Sequence, residues 1–342
     1  MARWHVVVLT LCVSLPVNAV ELVPGDILVL GNSQQVGPGI ILVDPVTHAQ
    51  TLMASGTFGD FTVAPGGSLY ATVGDSVVRI DPDTGAQTTV SSGGLLAPMH
   101  PFDASTPGGS YVAASGDTLF VARQYDERVI QIDPRTGAQS ILSSGGLLLP
   151  DSRNPSLRAV NGTRDLAIGP NDELLVLQNE YIAIGEVIGI ALATGVQSYA
   201  FLEPHPESSL FADPDGFGVS ADGTLVACDR GVSGFFFQLD PVLGAVMLPV
   251  PMVDRSGNVL PMQAVNAAIS GDGTLLLIRA AVDLVRFDPY TGGLDFLASG
   301  DFDEVEVVPA PEPRTALLVL CGLCAFSIAT ARRRTAQSHR SH

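Results

Sequence analysis

Four carboxylates recur at one place in a repeated pattern. Asp60, Asp165, Asp215 and Glu304 each stand five residues before a turn residue, respectively Pro65, Pro170, Ser220 and Pro309. Two further copies of the pattern carry Ser110 and Val265 at that place. Acids brought together in this way repel one another unless a cation, an arginine or backbone amides compensate. Calcium or another hard divalent ion suits such oxygen ligands better than zinc, because no histidine or cysteine joins the set. The competing reading is structural: each acid caps backbone N–H groups, and Arg164 pairs with its neighbour Asp165. His100 and His205 fall in long insertions, where they are candidates for acid or base work but equally for plain solvated side chains. Asn161 and Asn266 stand out of register with the acids. A Gly-x-Ser-x-Gly elbow, a His-Glu-x-x-His helix and a phosphate loop are all absent from the sequence.

The elements that must position these residues are legible as repeats. Asp44-Pro45-Val46-Thr47-His48-Ala49-Gln50 recurs as Asp81-Pro82-Asp83-Thr84-Gly85-Ala86-Gln87 and as Asp133-Pro134-Arg135-Thr136-Gly137-Ala138-Gln139. Weaker copies begin at Asp240-Pro241 and Asp288-Pro289, and Ala191-Leu192-Ala193-Thr194-Gly195 occupies the gap. Asp bonding its own backbone, Pro presetting φ and Gly tolerating positive φ make this a tight turn. Apolar β-type runs flank it, for example Val129-Ile130-Gln131-Ile132. A second turn family, exemplified by Ser220-Ala221-Asp222-Gly223-Thr224, lies upstream of each hairpin. Every unit therefore holds four short antiparallel strands, A to D. Repeat origins at 44, 81, 133, 191, 240 and 288 predict an all-β, six-bladed β-propeller. Its first unit lacks a strand A, and residues 302–309 form an orphan strand of that kind, so the N- and C-terminal strands are expected to pair and close the ring. The long insertions, at about 93–109, 145–162, 202–213 and 251–262, are all D-to-A connections. They gather on one face, which makes that face, with His100, His205 and Arg164, the expected binding face.

Composition narrows the function. The chain has 342 residues, with 46% hydrophobic and 15% charged residues. Its 35 acids all lie within residues 21–312, where only 11 arginines fall, a local charge of −24. So acidic a surface repels phosphate backbones and disfavours nucleic acid as a partner. Residues 1–19 read as a secretory signal, with Arg3 ahead of an apolar stretch and Val17-Asn18-Ala19 at the cleavage position. Only Cys228 of the four cysteines falls in the body, residues 20–309, so no internal disulfide can staple it. Residues 315–331 are uncharged and are followed by Arg332-Arg333-Arg334, which predicts a membrane helix with a cytoplasmic arginine end.

Two resemblances follow from these motifs. The body resembles the six-bladed propellers of the NHL and SMP-30/gluconolactonase-like superfamily, most clearly from Pro214-Asp215-Gly216 to Asp240-Pro241. In the lactonases of that group a Glu, an Asp and asparagines hold one divalent ion in the channel. The resemblance implies an acidic ligand at Asp215 and a Glu at Glu304, with Asp165 where asparagine is expected. Residues 310–342, with Pro311-Glu312-Pro313, the apolar stretch and the arginines, resemble a PEP-CTERM sorting tail. Arg314 directly after the motif and the extension 335–342 depart from the usual tail. This resemblance implies export, transient anchoring in the inner membrane through residues 315–331, processing by an exosortase, and association with exopolysaccharide or biofilm. A non-enzymatic binding or scaffold protein at the cell surface or in the extracellular matrix, holding a glycan or a matrix protein, is the leading expectation. A metal-dependent lactonase or hydrolase with its site in the channel is the alternative, and a purely structural propeller a third.

Overall fold

A computed structural model of the chain describes residues 22–97, 110–124, 126–148, 162–180, 184–202, 211, 214–229, 235–240, 242–250, 253, 256–258, 264–279 and 283–309. The signal-like segment 1–19, the tail beyond 309, much of the long insertions, and His100 and His205 lie outside the described residues. Among the described residues the structure is all-β apart from two 3-10 turns, Gly94–Leu96 and Gly146–Leu148. Among them no helix is long and apolar enough to cross a membrane.

The strands in chain order are β1 (Ile27–Ser33), β2 (Gly37–Val43), β3 (Gln50–Ser55), β4 (Phe61–Val63), β5 (Leu69–Val73), β6 (Ser76–Ile80), β7 (Gln87–Ser92) and β8 (Ser110–Ser115). There follow β9 (Thr118–Arg123), β10 (Arg128–Ile132), β11 (Gln139–Ser144), β12 (Gly162–Gly169), β13 (Glu173–Glu180), β14 (Ile184–Ala191), β15 (Gln197–Leu202) and β16 (Pro214–Val219). The last are β17 (Leu225–Asp229), β18 (Phe236–Asp240), β19 (Gly244–Met247), β20 (Ala264–Ile269), β21 (Leu275–Arg279), β22 (Asp283–Phe287) and β23 (Leu294–Val307). Strands β4 to β7, β8 to β11, β12 to β15 and β16 to β19 form four separate four-stranded antiparallel sheets. The fifth sheet has seven strands in the order β20-β21-β22-β23-β1-β2-β3. It is longer because β23 serves twice. Residues 294–299 pair with β22, and residues 300–307 pair with β1.

The expected partnership of the two ends is formed: Ile27 lies opposite Val307, Leu28 opposite Glu306, Val29 opposite Val305 and Leu30 opposite Glu304. Backbone bonds extend it, from Val308 N to Asp26 O at 2.9 Å and from Gly25 N to Val308 O at 3.0 Å. The first strands of successive units then touch in a closed cycle, β4 to β8 to β12 to β16 to β20 to β23 and back to β4.

No sheet has a core of its own. Each apolar cluster lies between two consecutive units; one, for example, joins Tyr70 and Val77 to Val121 and Ile130. Second strands are accordingly buried on both faces, as in β17 and β21. Outer strands such as β7, Gln-Thr-Thr-Val-Ser-Ser, are largely exposed and polar, which keeps the edges from inviting another chain.

The repeated turn holds the units in register. Asp81 Oδ1 accepts the backbone N–H groups of Asp83 and Thr84 at 3.0 Å each, and Asp44, Asp133, Asp240 and Asp288 do the same in their copies. The fifth residue takes positive φ: Gly85 +68°, Gly137 +72°, Gly195 +69°, Gly292 +71°, and His48 +60° in the first copy. Close approach adds to the demand for glycine. A Cβ at Gly195 would lie 2.0 Å from the Leu142 carbonyl oxygen on the preceding unit, and one at Gly137 would lie 2.5 Å from that of Val90. Gly195→Ala is therefore expected to destabilise the body by at least about 2 kcal/mol in urea unfolding, through both the left-handed backbone and the clash. His48→Gly, which relieves a left-handed non-glycine residue, is expected to leave stability unchanged or to raise it by up to about 1 kcal/mol.

Candidate functional site

The inner strands bring one set of polar side chains to the axis. Strand pairing defines which residues are equivalent, because each first strand can be read against the leucine or isoleucine in the first or second place of the second: Leu69, Leu119, Leu174, Leu225, Leu275 and Ile27. Three pairs inward from there, the first strands carry Asp60, Tyr111, Asp165, Gly216, Asn266 and Glu304. Asp215 is not in this register. It sits one residue earlier, skipped in a bulge between Pro214 and Gly216, and Arg164 and Val265 are skipped in the corresponding bulges. The sequence alignment slips because Ser220 itself closes its turn through a bond to Thr224 O, as Ala64 does to Ser68 O. Ser220 thus matches Ala64 and not Pro65. Asn266, out of register by sequence, is in register in the structure.

Asp60 and Asp165 join neighbouring units. Asp60 is 3% exposed and Asp165 5%. Asp60 Oδ1 accepts the N–H of Phe61 and Oδ2 that of Val112 on the next sheet, both at 2.6 Å. Asp165 Oδ1 accepts the N–H of Leu166 at 2.6 Å and Oδ2 that of Phe217 on the next sheet at 2.9 Å. The third such link comes from Glu306, a residue the sequence pattern does not single out. Its Oε2 accepts Val63 N–H at 2.9 Å and its Oε1 the Thr62 hydroxyl at 3.0 Å. Among the described residues, the Glu304 carboxylate instead accepts only the N–H of Val305, at 3.3 Å.

These acids feel one another. Burial raises Asp60 to about 7, against the pull of its two N–H bonds. Burial, then Asp60 and Asp215, push Asp165 well above the carboxylate range; burial, then Asp165, Asp60 and Glu306, do the same to Glu304. Glu306 is also raised, mainly by burial. Burial pushes the Tyr111 phenol up, with Arg164 opposing and Asp215, Asp165 and Asp60 reinforcing. Asp60 and Asp165 thus act on Glu304, Asp60 and Asp215 act on Asp165, and Arg164 faces Tyr111. Among the described residues, however, no three His, Cys, Asp or Glu side chains are gathered as a metal's ligands would be. Asn266 is 2% exposed, and its Oδ1 accepts no hydrogen bond among the described residues. It lies against Gly216, where a Cβ would come within 2.3 Å of its amide nitrogen.

Two other sets of side chains organise the rim. Gln139 donates to Ser91 Oγ at 2.8 Å and to Gly93 O at 3.1 Å, and accepts the N–H of Leu95 at 2.6 Å. Gln197 repeats this on Ser143, Gly145 and Leu147 of the preceding sheet. The recurrent Thr-Gly-x-Gln of the turn motif was the sequence signal for both. Arg123 and Arg279 end equivalent second strands, and each reaches the long insertion that precedes its own unit. Arg123 donates to Leu96 O at 2.6 Å; Arg279 donates to Val253 O at 2.9 Å and to the two carboxylate oxygens of Asp283 at 2.9 and 2.8 Å. Cys228 is a fully buried thiol bonded to Val265 O at 2.7 Å, in keeping with a small core residue.

No family model matches the chain, and no curated protein matches it in sequence. The fold does have solved counterparts. A chain in the crystal structure of a nidogen/laminin complex superposes with a TM-score of 0.57 at 12% identity, over 83% of this chain and 99% of that one. TolB from Acinetobacter baumannii superposes with a TM-score of 0.56 at 13% identity, over 83% of this chain and 67% of that one. The body is a β-propeller. A calcium-binding regucalcin from Agrobacterium tumefaciens reaches a TM-score of only 0.44 at 16% identity, over 68% of this chain and 71% of that one, and bears on neither site nor function.

The raised acids make stability depend on pH. The folded pKa of Asp60, about 7, lies above its usual 3.8, so between those values the folded chain holds a proton that the unfolded chain has released. Its contribution is complete below about pH 4 and is lost as pH rises through about 7. Asp60→Asn, neutral throughout, is expected to flatten the decline in unfolding free energy across that window by a few kcal/mol, read by urea unfolding at a series of pH values.

Proposed function

We propose that the chain is an exported, six-bladed β-propeller that works at the cell surface or in the extracellular matrix as a binding or scaffold module. The blade count is supported by the closed cycle of first strands and by the double use of β23. The observation that carries the non-enzymatic reading is the bonding of Asp60 and Asp165. Both oxygens of each carboxylate accept backbone N–H groups, one from its own sheet and one from the next. The axial acids thus serve cohesion between blades, and recognition falls to the outer faces. The long-insertion face, anchored by Arg123 and Arg279, is the proposed docking surface for a glycan or matrix protein, with His100, His205 and Arg164 as candidate contacts. Export rests on the signal-like residues 1–19, and sorting on the tail 310–342 with an exosortase as its partner.

The second reading, a divalent-ion-dependent lactonase or hydrolase of the channel, has one observation in its favour. The Asn266 carbonyl oxygen, buried and without a hydrogen bond among the described residues, stands in register with Asp60, Asp165 and Glu304. The two readings separate on purified chain. The binding reading expects no stoichiometric divalent ion retained with lactone turnover, and expects Asp215→Ala and Glu304→Ala to change neither. Metal content and lactone hydrolysis lost together in folded Asp215→Ala would establish the hydrolase. In a host with an exosortase, the full chain is expected at the surface, shortened near residues 311–313; an unprocessed chain confined to the cytoplasm would overturn export.

A further inference from the structure

The strand order decides which face of the body its tail can reach. Ile27, Val43 and Val307 are neighbours across one sheet, so the chain enters β1 and leaves β23 at the end that carries the Asp44 turn. Val308 is bonded there to Gly25 and Asp26. This is the short-turn face, opposite the long insertions. From Pro309 only residues 310–314 precede the uncharged stretch 315–331, and a chain extends at most about 3.5 Å per residue. A body tethered by that stretch is therefore held within roughly 20 Å of the bilayer, with its short-turn face towards it.

That face is apolar where the tether emerges. Tyr290 is 89% exposed and Val46 84%, and Val196, Val242 and Leu243 are also exposed. All five sit on the repeated turns. The units that carry them are consecutive around the cycle and include the one from which the chain leaves. The remaining two turns present Asp83 and Arg135 instead. Isolated apolar side chains are ordinary on a surface; a one-sided arc of them beside a membrane tether is an interfacial pattern. A second copy of the chain is a poor occupant, because two copies that each carry −24 over residues 21–312 repel. Resting on the tail reading above, we infer that the arc formed by Val46, Val196, Val242, Leu243 and Tyr290 rests on the lipid interface before the tail is cut, so that the long-insertion face points outward to its partners. Backbone N–H bonds keep Asp44 and Asp240, and the Thr291 hydroxyl followed by backbone N–H bonds keeps Asp288, below the usual carboxylate range and so ionised beside the arc, which favours a zwitterionic surface over an anionic one.

The test uses the full chain, with Cys12, Cys321 and Cys324 replaced by alanine and Cys228 left buried, in phosphatidylcholine vesicles containing a spin-labelled headgroup lipid. A fluorophore is attached at Tyr290→Cys on the arc or at Gln34→Cys on the opposite face. Quenching at Tyr290→Cys is expected to exceed that at Gln34→Cys several-fold, and Val242→Asp with Leu243→Asp to bring the two towards equality while the chain still floats with the vesicles. Flotation with equal or reversed quenching overturns the orientation and leaves the tail reading intact. Failure to float overturns the tail reading itself. Protection of Tyr290→Cys that rises with protein concentration and ignores the spin label assigns the arc to a second copy and overturns the inference.

Discussion

Everything in this body depends on β23 lending its second half to a sheet begun near the other end of the chain. No unit buries an apolar core alone; each core layer exists only between two sheets. A linear stack would leave one sheet face at each end without a partner. Pairing residues 300–307 with β1 removes both at once, and the fully buried Leu28, Val29 and Ile41 are enclosed by the layers that closure completes. With no disulfide available to the single body cysteine, main-chain bonding and this burial carry the closure.

Side chains reinforce the ring at two radii, and both sets act on backbone groups. Near the axis, Asp60, Asp165 and Glu306 accept N–H groups of the following sheet. Towards the rim, Gln139 and Gln197 reach back to the preceding sheet. A carboxylate in so enclosed a place favours its protonated form, so the inner links are electrostatically costly as well as cohesive. Two of the acids that look like a ligand set in sequence, Asp60 and Asp165, have backbone partners for both oxygens. The outer faces differ in character: buried arginines hold the first residues of the long insertions on one, while tight Asp-capped turns make up the other.

Much of this was legible in the residues, and what was not has identifiable causes. The turns were readable because Asp, Pro, Thr and Gly act on their own neighbours. The closing pair was readable because a missing first strand and an orphan last one are complementary deficits. The register of the inner acids was not. It turns on whether a closing residue such as Ser220 bonds across its turn, a difference of one position that moved Asp215 into a bulge and Asn266 into line. Glu306 was invisible for another reason: its partners Thr62 and Val63 lie 244 and 243 residues away, and nothing local marks a residue whose work is at that distance.

The amino-acid sequence by itself determined the β character, the repeating four-strand unit, the acidic charge and the tail's apolar stretch, because each arises from contacts or composition within a short span, and it determined the partnership of the two end strands because each lacks what the other supplies. Tertiary structure alone decided which acids share a level at the axis, that Asp60 and Asp165 bond across sheets, and which face the chain leaves from. Those follow from how separate sheets settle against one another, where one skipped residue or one shared strand reassigns every side chain around it.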